Sequence, residues 1–140
     1  MGIHLVKDYI LSVDQSKHLQ ELGLDMSDAV LAWYPPFIYD KDGLPEYLPD
    51  AINEYSVSFN EYDPGSIPTY TLQELLEKLP DYLLDEDRYE YKRDLSGNII
   101  KYTDNCIPPL ILVKKYGRNL LESAYFTMEW LLENKLLKEE

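Results

Sequence analysis

The side chains able to do nucleophilic or metal chemistry are few: Cys106, His4 and His18. A thiol attacks only as its thiolate, so a catalytic cysteine needs a base held beside it, usually a histidine. Cys106 is followed by Ile107-Pro108-Pro109, and no elbow or flanking motif marks it as a nucleophile. The expectation is a small buried residue at the mouth of a strand, with His18 solvated on a short helix. Asp40-x-Asp42-Gly43 has the flavour of a calcium loop. Placing Gly43 at the sixth loop position puts Ile38 where an Asp is required and Pro49 where the last acid is required, so the match fails. A turn with Gly43 at positive φ is expected instead. Carboxylates pair along the chain at Glu46 and Asp50, at Glu61 and Asp63, and from Asp85 to Asp87. General acid–base work needs two carboxylates in unlike environments across a cleft, and linear abundance does not provide that. No catalytic residue, metal ligand or cofactor is therefore assigned.

The aromatic residues form a richer set. Trp33, Tyr34, Phe37, Tyr39, Tyr47, Tyr55, Phe59 and Tyr62 all fall in the first half of the chain. Two readings compete. Tyrosine suits the surface of a sheet, and most of these rings could simply pack there. Tyr and Trp are also enriched at protein interfaces, where the ring is buried and the polar tip stays wet. The candidate binding residues are Trp33, Tyr34, Phe37 and Tyr39, with the acids Asp40, Asp42, Glu46 and Asp50 around them.

Charge narrows the partners. The 140 residues carry 26 acids against 13 Lys and Arg, a net charge of −13, yet 45% of the chain is apolar. Such a chain can bury a core, so the acid is expected on its surface. Residues 1–70 hold three Lys, no Arg and twelve acids, for a net −9; residues 71–140 hold ten bases and fourteen acids, for −4. Nucleic acid and anionic membrane both demand a basic footprint, which the first half lacks. A protein with a basic surface is the partner that remains. A lone cysteine forms no internal disulfide, and Lys7 and Asp8 interrupt the apolar start of the chain. Val6 stands where a myristoylation signal needs Ser or Thr. A cytoplasmic protein of one domain, 1–140, is expected.

These residues must be positioned by short elements. Ser12 and Gln15 have capping-box spacing, predicting a helix over about 13–22 that Gly23 closes. Residues 29–34 read as a strand ended by Pro35-Pro36. Phe37-Ile38-Tyr39 and Leu44–Leu48 read as a hairpin around Asp40–Gly43, with Pro45 and Pro49 marking the return as an edge. Residues 51–62 fit both a strand period and a helix period. Pro64-Gly65 and Pro68 read as a loop. Thr71 and Glu74 form a second capping box, before an apolar stripe of Leu72, Leu75, Leu76 and Leu79 that Pro80 ends. Residues 88–92 and 99–102 predict a hairpin around Leu95–Asn98. Residues 110–116 predict a strand that its four leading apolar residues mark as well buried. A final helix over about 120–134, capped by Asn119, presents Leu121, Ala124, Tyr125, Met128, Leu131, Leu132 and Leu136. The order implies an α+β fold of two layers, a mostly antiparallel sheet packed by two or three helices.

The segment YTLQELLEKLP, a hairpin, a strand and NLLESAYFTMEWLLENKLL together resemble small uncharacterised proteins carried by prophages and mobile elements of anaerobic gut bacteria. The resemblance covers roughly residues 70–137. It implies a cytoplasmic α+β protein of bacterial or phage origin, and it implies no activity, substrate or site. The function expected is therefore a non-enzymatic protein–protein interaction module. The alternatives are a DNA mimic that occupies a nucleic-acid-binding enzyme, or a small enzyme with a carboxylate or tyrosine site.

Overall fold

The computed structural model describes residues 9–85 and 87–136. Both capping boxes form as the spacing predicts. The Ser12 hydroxyl accepts from the Gln15 N–H while the Gln15 side chain accepts from the Ser12 N–H, opening α1 (Val13–Glu21). Thr71 and Glu74 repeat the exchange at α2 (Leu72–Lys78). Asn119 accepts from the Glu122 N–H at the start of α3 (Leu120–Glu133). Each side chain satisfies one of the N–H groups that a helix start leaves without an intrahelical partner.

The fold is α+β, and its strands form three antiparallel sheets. In the first, β1 (Leu31–Tyr34) lies between β4 (Ser56–Phe59) and β5 (Ile67–Thr69). In the second, β2 (Phe37–Tyr39) pairs only with β3 (Pro45–Tyr47). The third runs in the order β6 (Tyr82–Leu84), β7 (Glu90–Ser96), β8 (Ile99–Thr103), β9 (Ile111–Tyr116). The ambiguous window 51–62 divides: Ile52–Glu54 is one turn of 3-10 helix, and the strand β4 follows it. Two strands escape the sequence reading. One is β5, whose Pro68 reads as loop but is tolerated at the sheet edge; the other is β6.

The four-stranded sheet holds the main core. Leu83, Tyr91, Ile100, Tyr102 and Val113 turn inward against Leu121, Ala124, Met128 and Leu131 of α3. Leu75 of α2, Leu79 at its C-cap, Leu19 of α1 and Leu11 just before α1 belong to the same cluster. Arg93 ties α2 to this sheet, donating to the carbonyls of Leu79 (2.8 Å) and Leu76 (3.2 Å) and pairing with Asp81 at 3.1 Å. A cation at a helix C-terminus also complements its dipole. The expectation for residues 110–116 is corrected: β9 is the outer strand of its sheet, Leu110 and Ile111 are exposed, and only Val113 is buried. Among the described residues β9 has a strand on one side only, which leaves its far edge open to water.

The small sheet hangs on α1 through a buried polar seam. The Ser16 hydroxyl donates to Thr69 Oγ1 at 3.0 Å, and Thr69 donates onward to the Leu11 carbonyl at 3.0 Å. The Trp33 indole N–H donates to that carbonyl at 2.8 Å. One backbone oxygen thus anchors both β1 and β5.

Candidate functional site

The candidate residues divide into three settings. Trp33 and Tyr34 belong to β1 and are partly buried. Trp33 is fixed through its indole N–H, as described. Tyr34 donates its hydroxyl to the Phe59 carbonyl at 2.7 Å and accepts from the Glu61 N–H at 2.9 Å, clamping the chain where it leaves β4. Both residues do structural work.

Phe37 and Tyr39 sit on the β2–β3 hairpin, where the register pairs Phe37 with Tyr47, Ile38 with Glu46 and Tyr39 with Pro45. Alternation along each strand puts Phe37, Tyr39, Pro45 and Tyr47 on one face, with Ile38 and Glu46 on the other. The Phe37 ring meets Tyr39 edge-on at 5.5 Å and Tyr47 at 5.9 Å. These rings pack on each other and on no sheet: Phe37 is 49% exposed, Tyr39 70% and Tyr47 55%. Every residue of both strands is exposed. The reading in which the rings pack on a sheet holds for Tyr55, which is buried, and fails for this trio.

The acids occupy a third setting and do not form one row. Asp40 Oδ1 accepts from the N–H groups of Asp42 (2.8 Å) and Leu44 (2.9 Å), so this carboxylate builds the turn. Gly43 takes φ 77°, as the expected turn requires. Asp42 is exposed within the turn, Glu46 points away from the rings, and Asp50 lies in the chain leaving the hairpin. Among the described residues, no group of three or more His, Cys, Asp and Glu could hold a metal ion.

Trp33 of β1 and residues of the segment 52–57 line a groove of roughly 780 Å³. Trp33, Ile10 and Val57 give it apolar walls, and the first turns of α1 and α3 bring Asp14, Arg118 and Glu122 to its rim. Tyr55 lines it too, its hydroxyl donating to the Pro49 carbonyl at 2.9 Å. Arg118 pairs with Glu122 at 2.9 Å. The N–H and guanidinium of Arg118 hold the Glu122 carboxyl below its ordinary value, against the opposing effect of burial. Sequence reasoning found Trp33 but missed this groove, because its lining comes from four separated segments.

Cys106 has no histidine beside it among the described residues, and His4 lies outside them. His18 keeps a solvated side chain, 41% exposed, and also bonds Glu129 across to α3 at 2.9 Å. Cys106 is exposed, which corrects the expectation of a buried thiol. The buried member of its loop is Asp104, whose Oδ1 accepts from the N–H groups of Leu110 (2.8 Å) and Cys106 (3.0 Å). Burial pushes the Asp104 carboxyl up, but those two N–H groups outweigh it and hold it below the usual carboxylate value. The Tyr89 hydroxyl lies 2.9 Å from Cys106 Sγ, and this contact, with Asp104 nearby, raises the phenol above its ordinary value. The arrangement ties down the loop between β8 and β9.

Among the described residues, no helix is long and apolar enough to cross a membrane. No family model matches this chain, and no curated protein and no solved structure is similar to it.

Proposed function

We propose that the protein is a binding module that docks a partner protein through the β2–β3 hairpin. The observation that carries this reading is the trio Phe37, Tyr39 and Tyr47, clustered ring to ring on a ribbon with no buried residue. Rings left in water forfeit the stabilisation that burial would give them, and surfaces of this kind mark interaction sites. The partner we infer has a basic surface. Asp42 lies in the turn, Glu46 on the opposite face of the ribbon and Asp50 in the chain that leaves it, and the whole chain carries −13, a field that steers cations toward it. The resemblance of residues 70–137 to prophage and mobile-element proteins fits a bacterial or phage cytoplasm as the setting.

The test compares the wild-type protein with Phe37→Ser/Tyr39→Ser as bait in a lysate, followed by kinetics with the purified retained protein. The expected partner has a basic surface, associates more slowly as salt rises past roughly 0.1 M, and binds the double variant at least about tenfold more weakly. A partner that binds both baits equally, or with no salt dependence, overturns the reading. So does a wild-type bait that retains nothing.

A further inference from the structure

The groove lined by Trp33 and Ile52, which flank the hairpin in the chain, extends this reading and rests on it, because its occupant is part of the same basic partner. Its size falls within the range of sites that seat a small ligand or an anchoring side chain. Two aromatic residues, Trp33 and Tyr55, belong to its lining. With the Trp33 N–H committed to the Leu11 carbonyl, the ring carbons are what it offers the groove. Ile10 and Val57 add aliphatic wall. The charge around the groove has a sign: Arg118 is matched by Glu122 at 2.9 Å, and Asp14 has no cationic partner among the described residues. Among the described residues, one negative charge in the lining that also holds Trp33 is therefore uncompensated.

We propose that this groove seats an arginine side chain of the partner, its guanidinium stacked on Trp33 and facing Asp14. A cation above an indole face is attracted by the ring quadrupole, and tryptophan is the strongest of the aromatic partners. A guanidinium suits the groove better than an ammonium, because it is planar, weakly hydrated and stacks on rings. The arginine stem would cover Ile10 and Val57 while its head stays at the charged rim. The groove and the rings are joined through the chain. Trp33 leads through Pro35-Pro36 into β2, and β3 leads through Pro49, bonded to Tyr55, back to Ile52 in the groove wall. An anchor here would hold a partner already steered onto the hairpin.

Trp130→Phe leaves Trp33 as the sole indole, so its fluorescence reports the groove directly. Titration with N-acetyl-arginine amide should give a saturable change, roughly threefold to tenfold weaker with the lysine analogue and absent with the uncharged citrulline analogue. Asp14→Asn should abolish the response at an unchanged melting temperature. Arg118→Gln should strengthen it by removing the competing cation. Equal responses to arginine and citrulline, no response at all, or indifference to Asp14→Asn would each overturn the proposal. Phe37→Ser/Tyr39→Ser should leave this titration intact. Failure of the hairpin reading and failure of the arginine site are thus read in separate experiments.

Discussion

The four-stranded sheet and the β2–β3 hairpin use the same antiparallel pairing, but the sheet buries two of its four tyrosines, leaving Tyr82 and Tyr116 exposed, while the hairpin buries none of its rings. In the sheet, Tyr91 and Tyr102 turn inward; the Tyr102 hydroxyl donates to the Pro80 carbonyl at 2.7 Å, and burial raises its phenol above the ordinary value. In the hairpin, Phe37, Tyr39 and Tyr47 find only one another. The difference lies in what covers each face. Helix α3 lies across β8 and β9, while among the described residues no helix is laid on the ribbon. An isolated two-stranded ribbon is at best marginally stable in water, so this one depends on its ring contacts and its turn. Stability and exposed recognition surface are thereby placed in different parts of one chain.

That separation can be broken at its strong end. Leu131 is fully buried on the inner face of α3, and Leu131→Ala should cost about 2–5 kcal/mol. At this size the loss should lower the melting temperature by on the order of 10 °C in a calorimetric scan. A shift of a degree or less would mean that α3 does not hold the sheet as described.

Asp28 tests an intermediate layer. Lys78 donates to one of its oxygens and the buried Tyr70 hydroxyl to the other, and these bonds hold its carboxyl below the usual value. A carboxyl lowered by folding stabilises the protein above its unfolded value, near pH 4, and that contribution disappears as pH falls through the folded value. Asp28→Ala should cost about 1 kcal/mol at neutral pH through the lost bond to Tyr70. Melting curves between pH 7 and roughly pH 2 should show a shallower acid decline for the variant than for the wild type. Parallel declines would remove Asp28 from the account.

The smallest effect is expected at the hairpin. Phe37→Ser should change global stability by less than about 0.5 kcal/mol while speeding amide exchange between Phe37 and Tyr47. A loss of several degrees on melting would show that the rings support the core, and would erase the contrast between the two regions.

Much of the framework was legible because its signals are local. Ser12 with Gln15, Thr71 with Glu74, and Asn119 each set a helix start through side chains within three residues of the backbone group they satisfy. Gly43 and Gly97 marked two turns, and both adopt positive φ. What was lost depends on distant neighbours. The apolar run of β9 looked buried because sequence cannot show that no strand lies beyond it. Strand β5 looked like a loop because Pro68 is acceptable only once β1 supplies a partner on the other side. The candidate site was legible in part: Phe37 and Tyr39 were found, Tyr47 joined them only through cross-strand register, and Trp33 and Asp40 proved to have structural partners.

The turn at Asp40–Gly43 carries more information than its position at the tip suggests. Where one face of a sheet is buried, hydrophobic contact fixes which residues stand opposite one another; a ribbon wet on both faces has no such reference. Here the frame is counted out by Asp40, which bonds Asp42 and Leu44, and by Gly43, whose N–H returns to the Asp40 carbonyl at 3.0 Å. One added residue after Gly43 would shift the count, bringing Glu46 to the face of Phe37 and sending Tyr47 to the other side. The order of chemical groups shown to a partner is thus written in four residues that need touch no partner at all.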